Sequence, residues 1–315
     1  MHITYNAEPM ARQRVSICIP TYNYAHYLGD AIRSACEQTY EELEIVVIDD
    51  ASTDATVPLV EQLARSDGRI RLVRNQRNLG LQANYSRCIE LADTDFVKIL
   101  CADDWLAPDC VARMMAVLEA RPEVALVACA REFVGSRLEH RRSVAYARRP
   151  IVEPGARTIR RCFFRGNLIG EPTAVLFRKS RARIGFDENY KQILDMELWF
   201  RILETGWFAS LPEALCRFRQ HEGRATFKQM DTGLIARDRI RLFHDFSDRP
   251  YMEAGLPEKL LWDARMAWVL AREPSTSGDP RSTGAFGAVY FPRLLGGLMA
   301  AARVAIRAGL VPRRS

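Results

Sequence analysis

The sequence predicts an α/β fold: a mostly parallel sheet covered by helices on both faces, followed by a helical C-terminal region. Three observations carry this. Short, continuously apolar runs alternate with helical segments between residues 14 and 129, the pattern of parallel strands buried on both faces. Three of those runs end in polar loops, at 21–23, 49–54 and 103–104, and ligands of such sheets bind beyond the carboxyl ends of the strands. From about residue 229 the pattern turns helical and stays so, which divides the chain into a domain over 1–228 and a helical region over 229–315.

Taken in order, RVSICI (14–19) reads as a buried strand that Pro20 closes, and 25–37 as a helix. LEIVVI (43–48) is a second strand, stopping at Asp49 and Asp50. Ser52 and Asp54 suit the cap of a helix over 55–66, and 70–73 is a short strand. Over 81–92, Leu81, Tyr85, Cys88, Ile89 and Ala92 share one helical face. DFVKIL (95–100) is a strand running into Asp103 and Asp104. Residues 109–120 form a helix with Val111, Met114, Met115 and Leu118 inward, and VALVAC (124–129) another strand. The arginine-rich stretch 131–160 reads as a surface connection. TAVLFR (173–178) is strand-like, and DMELWFRILET (195–205) is a helix with Asp195 at its start. In the tail the helical pattern breaks near 246–257 and 273–287, and 274–284 is the best linker candidate.

Composition narrows the class. Of 315 residues, 48% are hydrophobic and 27% charged, which is globular usage. The net charge of +6 suits an anionic membrane surface, a phosphorylated substrate or nucleic acid. No nucleic-acid-binding motif accompanies it, so no nucleic-acid partner is expected. The eight cysteines are scattered without a CxxC pair, as buried free thiols in a reducing compartment would be. No leader and no run of 18 apolar residues stands out; 288–311 comes nearest, but Pro292, Arg293, Arg303 and Arg307 interrupt it. A cytoplasmic protein is expected.

The chemistry centres on FVKILCADDW (96–105). A buried strand delivers two adjacent carboxylates to its open end, where they repel unless a cation joins them. A hard divalent ion with oxygen ligands fits; so does a plain helix cap, with Asp104 and Pro108 preceding a helix. Asp49-Asp50 repeats the arrangement at a second strand end, and PTYN (20–23) makes a third polar end. GxGxxG and GxxxxGK[ST] are both absent, against a dinucleotide oxidoreductase and a P-loop enzyme. PTYNYAH after the first strand replaces the glycine-rich basic loop of nucleotidyltransferases.

Six stretches together carry a resemblance: VSICIPTYNYAHYL (15–28), LEIVVIDDASTD (43–54), NLGLQANYSRCIELA (78–92), DFVKILCADDWL (95–106), DMELWFRIL (195–203) and FRQH (218–221). In this order and spacing the chain resembles the family-two glycosyltransferases of the GT-A fold, over about residues 14–225. The resemblance implies a Rossmann-like, three-layer α/β/α domain that inverts the sugar of a nucleoside diphosphate donor, with uridine the favoured base and Mn²⁺ or Mg²⁺ as cofactor. It implies that Pro20, Thr21 and Tyr22 line the base pocket and that Asp50 accepts a base N–H. Asp103 and Asp104 are implied at the metal, with Asp103 also facing the donor. Cys101 stands where the family often has a further aspartate. Asp195 is implied as the general base, with Leu194 in place of the usual glutamate and Glu197 the nearest rival. Arg219 and His221 match an Arg-x-His motif, which implies diphosphate contact for Arg219 (or Arg217) and a metal or diphosphate contact for His221. Residues 170–173 fall on the acceptor side. Trp105 and Trp199 neighbour the key carboxylates; Trp105 suits a sugar face or the core, and Trp199 the core.

The implied acceptor is a hydroxyl in glycan, polysaccharide or glycolipid assembly at a bacterial cell envelope. The departures at Cys101 and Leu194 keep a non-catalytic nucleotide-sugar-binding protein as the alternative. In the tail, Leu295, Leu298, Met299, Ala302, Ile306 and Leu310 share a helical stripe flanked by Arg303 and Arg307. That stripe suits either the protein's own core or peripheral contact with the cytoplasmic face of the inner membrane.

Overall fold

The computed structural model describes residues 13–135, 141–221 and 234–252. The chain divides into two compact units, 1–224 and 225–315. In the first, β1 (Val15–Thr21), α1 (Ala25–Cys36), β2 (Leu43–Asp49), α2 (Thr56–Ala64), β3 (Ile70–Arg74), α3 (Leu81–Leu91) and β4 (Phe96–Ile99) alternate without exception. Their strands lie in the order β3-β2-β1-β4, parallel throughout. Every residue of β1 and β2 is buried, so these strands read as unbroken apolar runs rather than alternating ones.

The second half is mixed. β5 (Trp105–Leu106), α4 (Cys110–Ala120), β6 (Val124–Val134), β7 (Arg141–Val144) and β8 (Ile151–Pro154) are followed by α5 (Gly155–Arg165), β9 (Val175–Arg178), α6 (Leu194–Leu203) and β10 (Trp207–Arg219). β9 runs antiparallel between β4 and β6, β10 lies parallel to β6, and β5 and β8 pair antiparallel with β10. One ten-stranded sheet results among the described residues. The strand order reverses between β1 and β4, and the crevice beyond their carboxyl ends is the place such sheets bind ligands.

The expected surface connection over 131–160 is instead the end of β6, the strands β7 and β8 and the start of α5. β7 hydrogen-bonds to β6 and β8 to β10, so this stretch extends the sheet rather than forming a loop. α5 meets α6 through Gly155, where a Cβ would run into the carbonyl oxygens of Leu203 and Gly206. In the second unit, α7 (Leu234–Phe246) is helical, as the sequence pattern expects. The linker 274–284 and the stripe 295–310 lie outside the described residues. Among the described residues no helix is long and apolar enough to cross a membrane.

Candidate active site

Three polar strand ends and a fourth, at β3, build one rim. Asn23 adopts the left-handed conformation (φ 54°), which short polar side chains tolerate because they bond locally. Its Oδ1 accepts from the backbone N–H groups of Thr53 (2.8 Å) and Asp54 (3.3 Å), and its own N–H donates to Ser52 Oγ (2.9 Å). The first loop is thereby fastened to the second. Asp54 Oδ1 accepts from Thr56 N–H at the start of α2, but the capping position is Ala55, without a side-chain cap, and Ser52 is spent on Asn23.

Asp50 is 2% exposed, and its carboxylate accepts from Asn75 Nδ2 (2.8 Å) and from the N–H groups of Leu79 (2.8 Å) and Gly80 (2.9 Å). Gly80 has φ 87°, open to glycine at no steric cost. Asp50 thus shapes the 75–80 loop. Asn75, which sequence reasoning missed, gives its two amide hydrogens to Asp50 and Asn84. Its Oδ1 and the hydroxyl of Thr21 are buried without a hydrogen-bond partner. Thr21 lies beside Asp50, whose N–H donates to the Thr21 carbonyl (2.9 Å). Pro20 is buried, and Tyr22 is 44% exposed on the rim. That Asn75 ends a strand on this rim was the available signal.

At the end of β4, Asp103 and Asp104 take separate tasks. Asp103 Oδ2 lies 2.9 Å from His221 Nε2, both side chains nearly buried. Asp104 is fully buried; its Oδ2 accepts from Thr173 Oγ1 (2.8 Å) and its Oδ1 from the Arg219 N–H (3.3 Å). The Thr173 hydroxyl in turn accepts from Cys101 N–H (3.0 Å). The alternative of Asp104 as a helix cap is set aside: α4 starts after Asp109, without a side-chain cap. Cys101 sits 3.1 Å from Tyr85 Oη, and burial, with Asp104 and Asp103 nearby, pushes its thiol up to about 12.

Arg219 is held on every side. It reaches Asp30 Oδ2 (2.9 Å) and the Asp103 carbonyl (3.3 Å), and its guanidinium lies 4.7 Å from both the Tyr27 and Trp105 rings. Trp105 is therefore part of this brace. Arg217 faces Glu132 (2.9 Å). Among the described residues no three His, Cys, Asp or Glu side chains gather as a metal site. Asp103 and His221 are the two adjacent side chains here that could hold a divalent ion, and a carboxylate with an imidazole is a donor set such ions accept.

Asp195 occupies the first turn of α6, 9% exposed. Its Oδ2 accepts from Asn167 Nδ2 (2.8 Å) and its Oδ1 from Met196 N–H (2.8 Å). Burial first, and the charge of Glu171 second, push its carboxyl up to about 7, against the N–H of Met196 and the charge of Arg131. Asn167 is fixed in turn, its Oδ1 accepting from Gly170 N–H (2.9 Å), while Trp199, fully buried, donates from Nε1 to the Gly170 carbonyl (3.0 Å). Trp199 is core. Glu197 is ion-paired with Arg201 on another side of α6, as two residues of separation on a helix dictates. Asn167 was not visible in the sequence; an amide gains a role only from what it touches.

The segment 167–174 touches both carboxylate sites: Asn167 bonds to Asp195 and Thr173 to Asp104. Together these make a polar rim, an Asp–His pair and a buried carboxylate pushed up to about 7. A mannosyltransferase of Pyrobaculum calidifontis, solved in complex with GDP-Man and Mn²⁺, superposes with a TM-score of 0.59 at 21% identity, over 94% of this chain and 87% of that one. The TarS fragment of S. aureus, in complex with UDP-GlcNAc, gives 0.55 at 17% identity, over 83% and 82%. A putative teichuronic acid biosynthesis glycosyltransferase of Bacillus subtilis is 26% identical over 206 residues, 65% of this chain and 78% of its own length. The two solved neighbours share the GT-A fold. The model of the family described as "Glycosyl transferase family 2" matches residues 16–185, the stretch from the first rim loop to just short of α6, and so this chain belongs to glycosyl transferase family 2.

Proposed function

We propose that this glycosyltransferase moves a sugar, with inversion, from a nucleoside diphosphate donor onto a hydroxyl of a growing envelope glycan, with Asp195 as the general base. The observation that carries the reading is the state of Asp195. It is a buried carboxylate poised near neutral pH, oriented by Asn167 and tied to the Asp104 turn through 167–174. A base is most effective when its pKa lies near the working pH, and contributes roughly 10²–10⁴-fold.

The base pocket lies between Thr21, Tyr22, Asp50 and Asn75, with Pro20 as its floor. The unpartnered Asn75 Oδ1 suits the imide N–H of a uracil, and Tyr22 a stacking contact. UDP is favoured on that chemistry, and the neighbours' UDP- and GDP-linked ligands support a nucleotide-sugar donor. Asp103 and His221 would hold the divalent ion; when bound, it neutralises charge on the departing diphosphate. Asp104 and Arg219 keep that turn in place, so Arg219 acts through Asp103 rather than on the diphosphate. Asp195 takes the proton of the acceptor hydroxyl as its oxygen attacks the anomeric carbon from the face opposite the diphosphate. A single displacement of this kind inverts the centre. The relative named for teichuronic acid synthesis supports an envelope polysaccharide as acceptor.

The test is release of nucleoside diphosphate from a panel of UDP-, dTDP- and GDP-sugars, with Mn²⁺ or with chelator. Release that needs Mn²⁺ and is lost in Asp195→Asn, with donor binding kept, is expected. Full transfer by Asp195→Asn, or release indifferent to chelation, refutes the reading.

A further inference from the structure

Between residues 141 and 165 stand eight arginines and one acidic residue, Glu153. That segment's net +7 exceeds the +6 of the whole chain. Glu153 is buried, accepts from Tyr146 and Thr158 and pairs with Arg157 (3.3 Å), so the segment's single acid is spent on these partners and its surplus of positive charge stands. α5 buries Thr158, Ile159, Cys162, Phe163 and Phe164. Away from that face, Arg157, Arg161 and Arg165 recur every fourth residue along one stripe, spanning about 12 Å at about 1.5 Å per residue. The Arg157 side chain is 78% exposed and Arg165 is exposed too. The Arg161 guanidinium lies 4.8 Å over the Tyr146 ring, and Arg148 and Arg149, which follow Tyr146 in the chain, are exposed.

Like charges four apart weaken a helix, and α5 is held by its apolar face without them. Glu153 eases Arg157 (3.3 Å), but Arg161 and Arg165 form a like-charged pair four apart, which an anionic ligand would relieve. The stripe's direction says where that ligand ends. The last turn of α5 runs through Gly166 into Asn167, which bonds to Asp195 (2.8 Å).

We infer that the acceptor is an anionic glycan chain, lying along α5 against Arg157, Arg161 and Arg165 and delivering its terminal hydroxyl to Asp195. The inference rests on Asp195 marking the acceptor side. Guanidinium forks pair two-to-two with carboxylate or phosphate groups, and a linear stripe ending at the reacting site suits a linear polymer better than a flat bilayer.

The test uses the full chain and three probes: a fluorescent oligouronic acid, a neutral dextran of equal length, and phosphatidylglycerol vesicles. The oligouronate is expected to bind and the dextran not, with affinity falling as salt rises. The variant Arg157→Gln/Arg161→Gln/Arg165→Gln should bind the oligouronate about tenfold more weakly while keeping its nucleotide-induced thermal shift. If that variant does not fold, Arg165→Gln alone and the wild-type salt dependence take its place. Equal binding of dextran, unchanged binding by the variants, salt-insensitive binding, or binding confined to vesicles each overturns the inference. Asp195→Asn should bind the oligouronate like wild type, so a wrong base assignment appears in transfer and a wrong stripe in binding.

Discussion

Replacing Asp195 by Asn should make the protein more stable at neutral pH while removing transfer. The folded carboxyl sits at about 7, raised mainly by burial, against about 3.9 in an unfolded chain. A group raised on folding binds more protons in the native state, so its stabilising contribution is complete below the unfolded value and is lost as pH climbs through the folded one. The loss is about 1.4 kcal/mol per pH unit between roughly 4 and 7, about 4 kcal/mol in all. Asn carries no such dependence, but it matches only one of the two donors at this position, Asn167 Nδ2 and Met196 N–H. That mismatch costs about 1–2 kcal/mol. The difference between the variant and wild type should therefore grow steadily from pH 4 to 7 and then flatten, with the variant ahead by about 2–3 kcal/mol at pH 8. Paired urea melts at unit pH steps measure it, since other titrating groups cancel in the difference. In the wild type, kcat/KM should rise tenfold per pH unit up to an apparent pKa of about 7. A stability difference that is flat across pH, or an acid limb ending below pH 5, would refute the argument.

Thr173→Val should cost about 1–3 kcal/mol and lower kcat, because it strips partners from buried Asp104 and from the Cys101 N–H; chemical denaturation and steady-state kinetics check both. Gly155→Ala should cost at least about 2 kcal/mol, since its Cβ meets two fixed carbonyls and must drive α5 from α6; the melting midpoint reads it. Ala51, next to Asp50, holds φ 61°, so Ala51→Gly should gain up to about 1 kcal/mol and Ala51→Val lose more than that. A thermal melt in which Gly and Val act alike refutes the strain.

The parallel half of the fold was legible because its strands are buried on both faces: the run 14–19 became Val15–Thr21, and 43–48 became Leu43–Asp49. The mixed half was legible in part: 109–120, 124–129, 173–178 and 195–205 correspond to α4, β6, β9 and α6, whereas β7, β8, α5 and β10 were not read. β10 contains Pro212 and register shifts against β6 between Leu211 and Ala214 and between Ala214 and Cys216. Proline and bulges break the period that betrays a strand. In α5 the arginines hid an apolar face of Ile159, Cys162 and Phe163. Within the site, carboxylates and His221 announced themselves by residue type. Asn75, Asn167 and Thr173 did not, because an amide or hydroxyl means nothing until its partner, often tens of residues away, is known. Arg131, buried and 2.7 Å from Glu171, escaped for the same reason.

One strand accounts for the joining of the two carboxylate sites. β4 ends in the Asp103–Asp104 turn, and its Lys98, fully buried, must find acceptors for an ammonium in the core. It finds the carbonyls of Thr173 and Val175. The Thr173 hydroxyl then reaches back to Asp104, and the same segment carries Asn167 to Asp195. Lys98 thus fixes from beneath the piece of chain that both carboxylate sites share. A shift large enough to free Asp104 must also disturb the orientation of Asp195, since packed interiors transmit displacement rather than absorb it. Placing a buried lysine under the segment makes the spacing between the Asp103–Asp104 turn and Asp195 a property of the sheet, not of a loop.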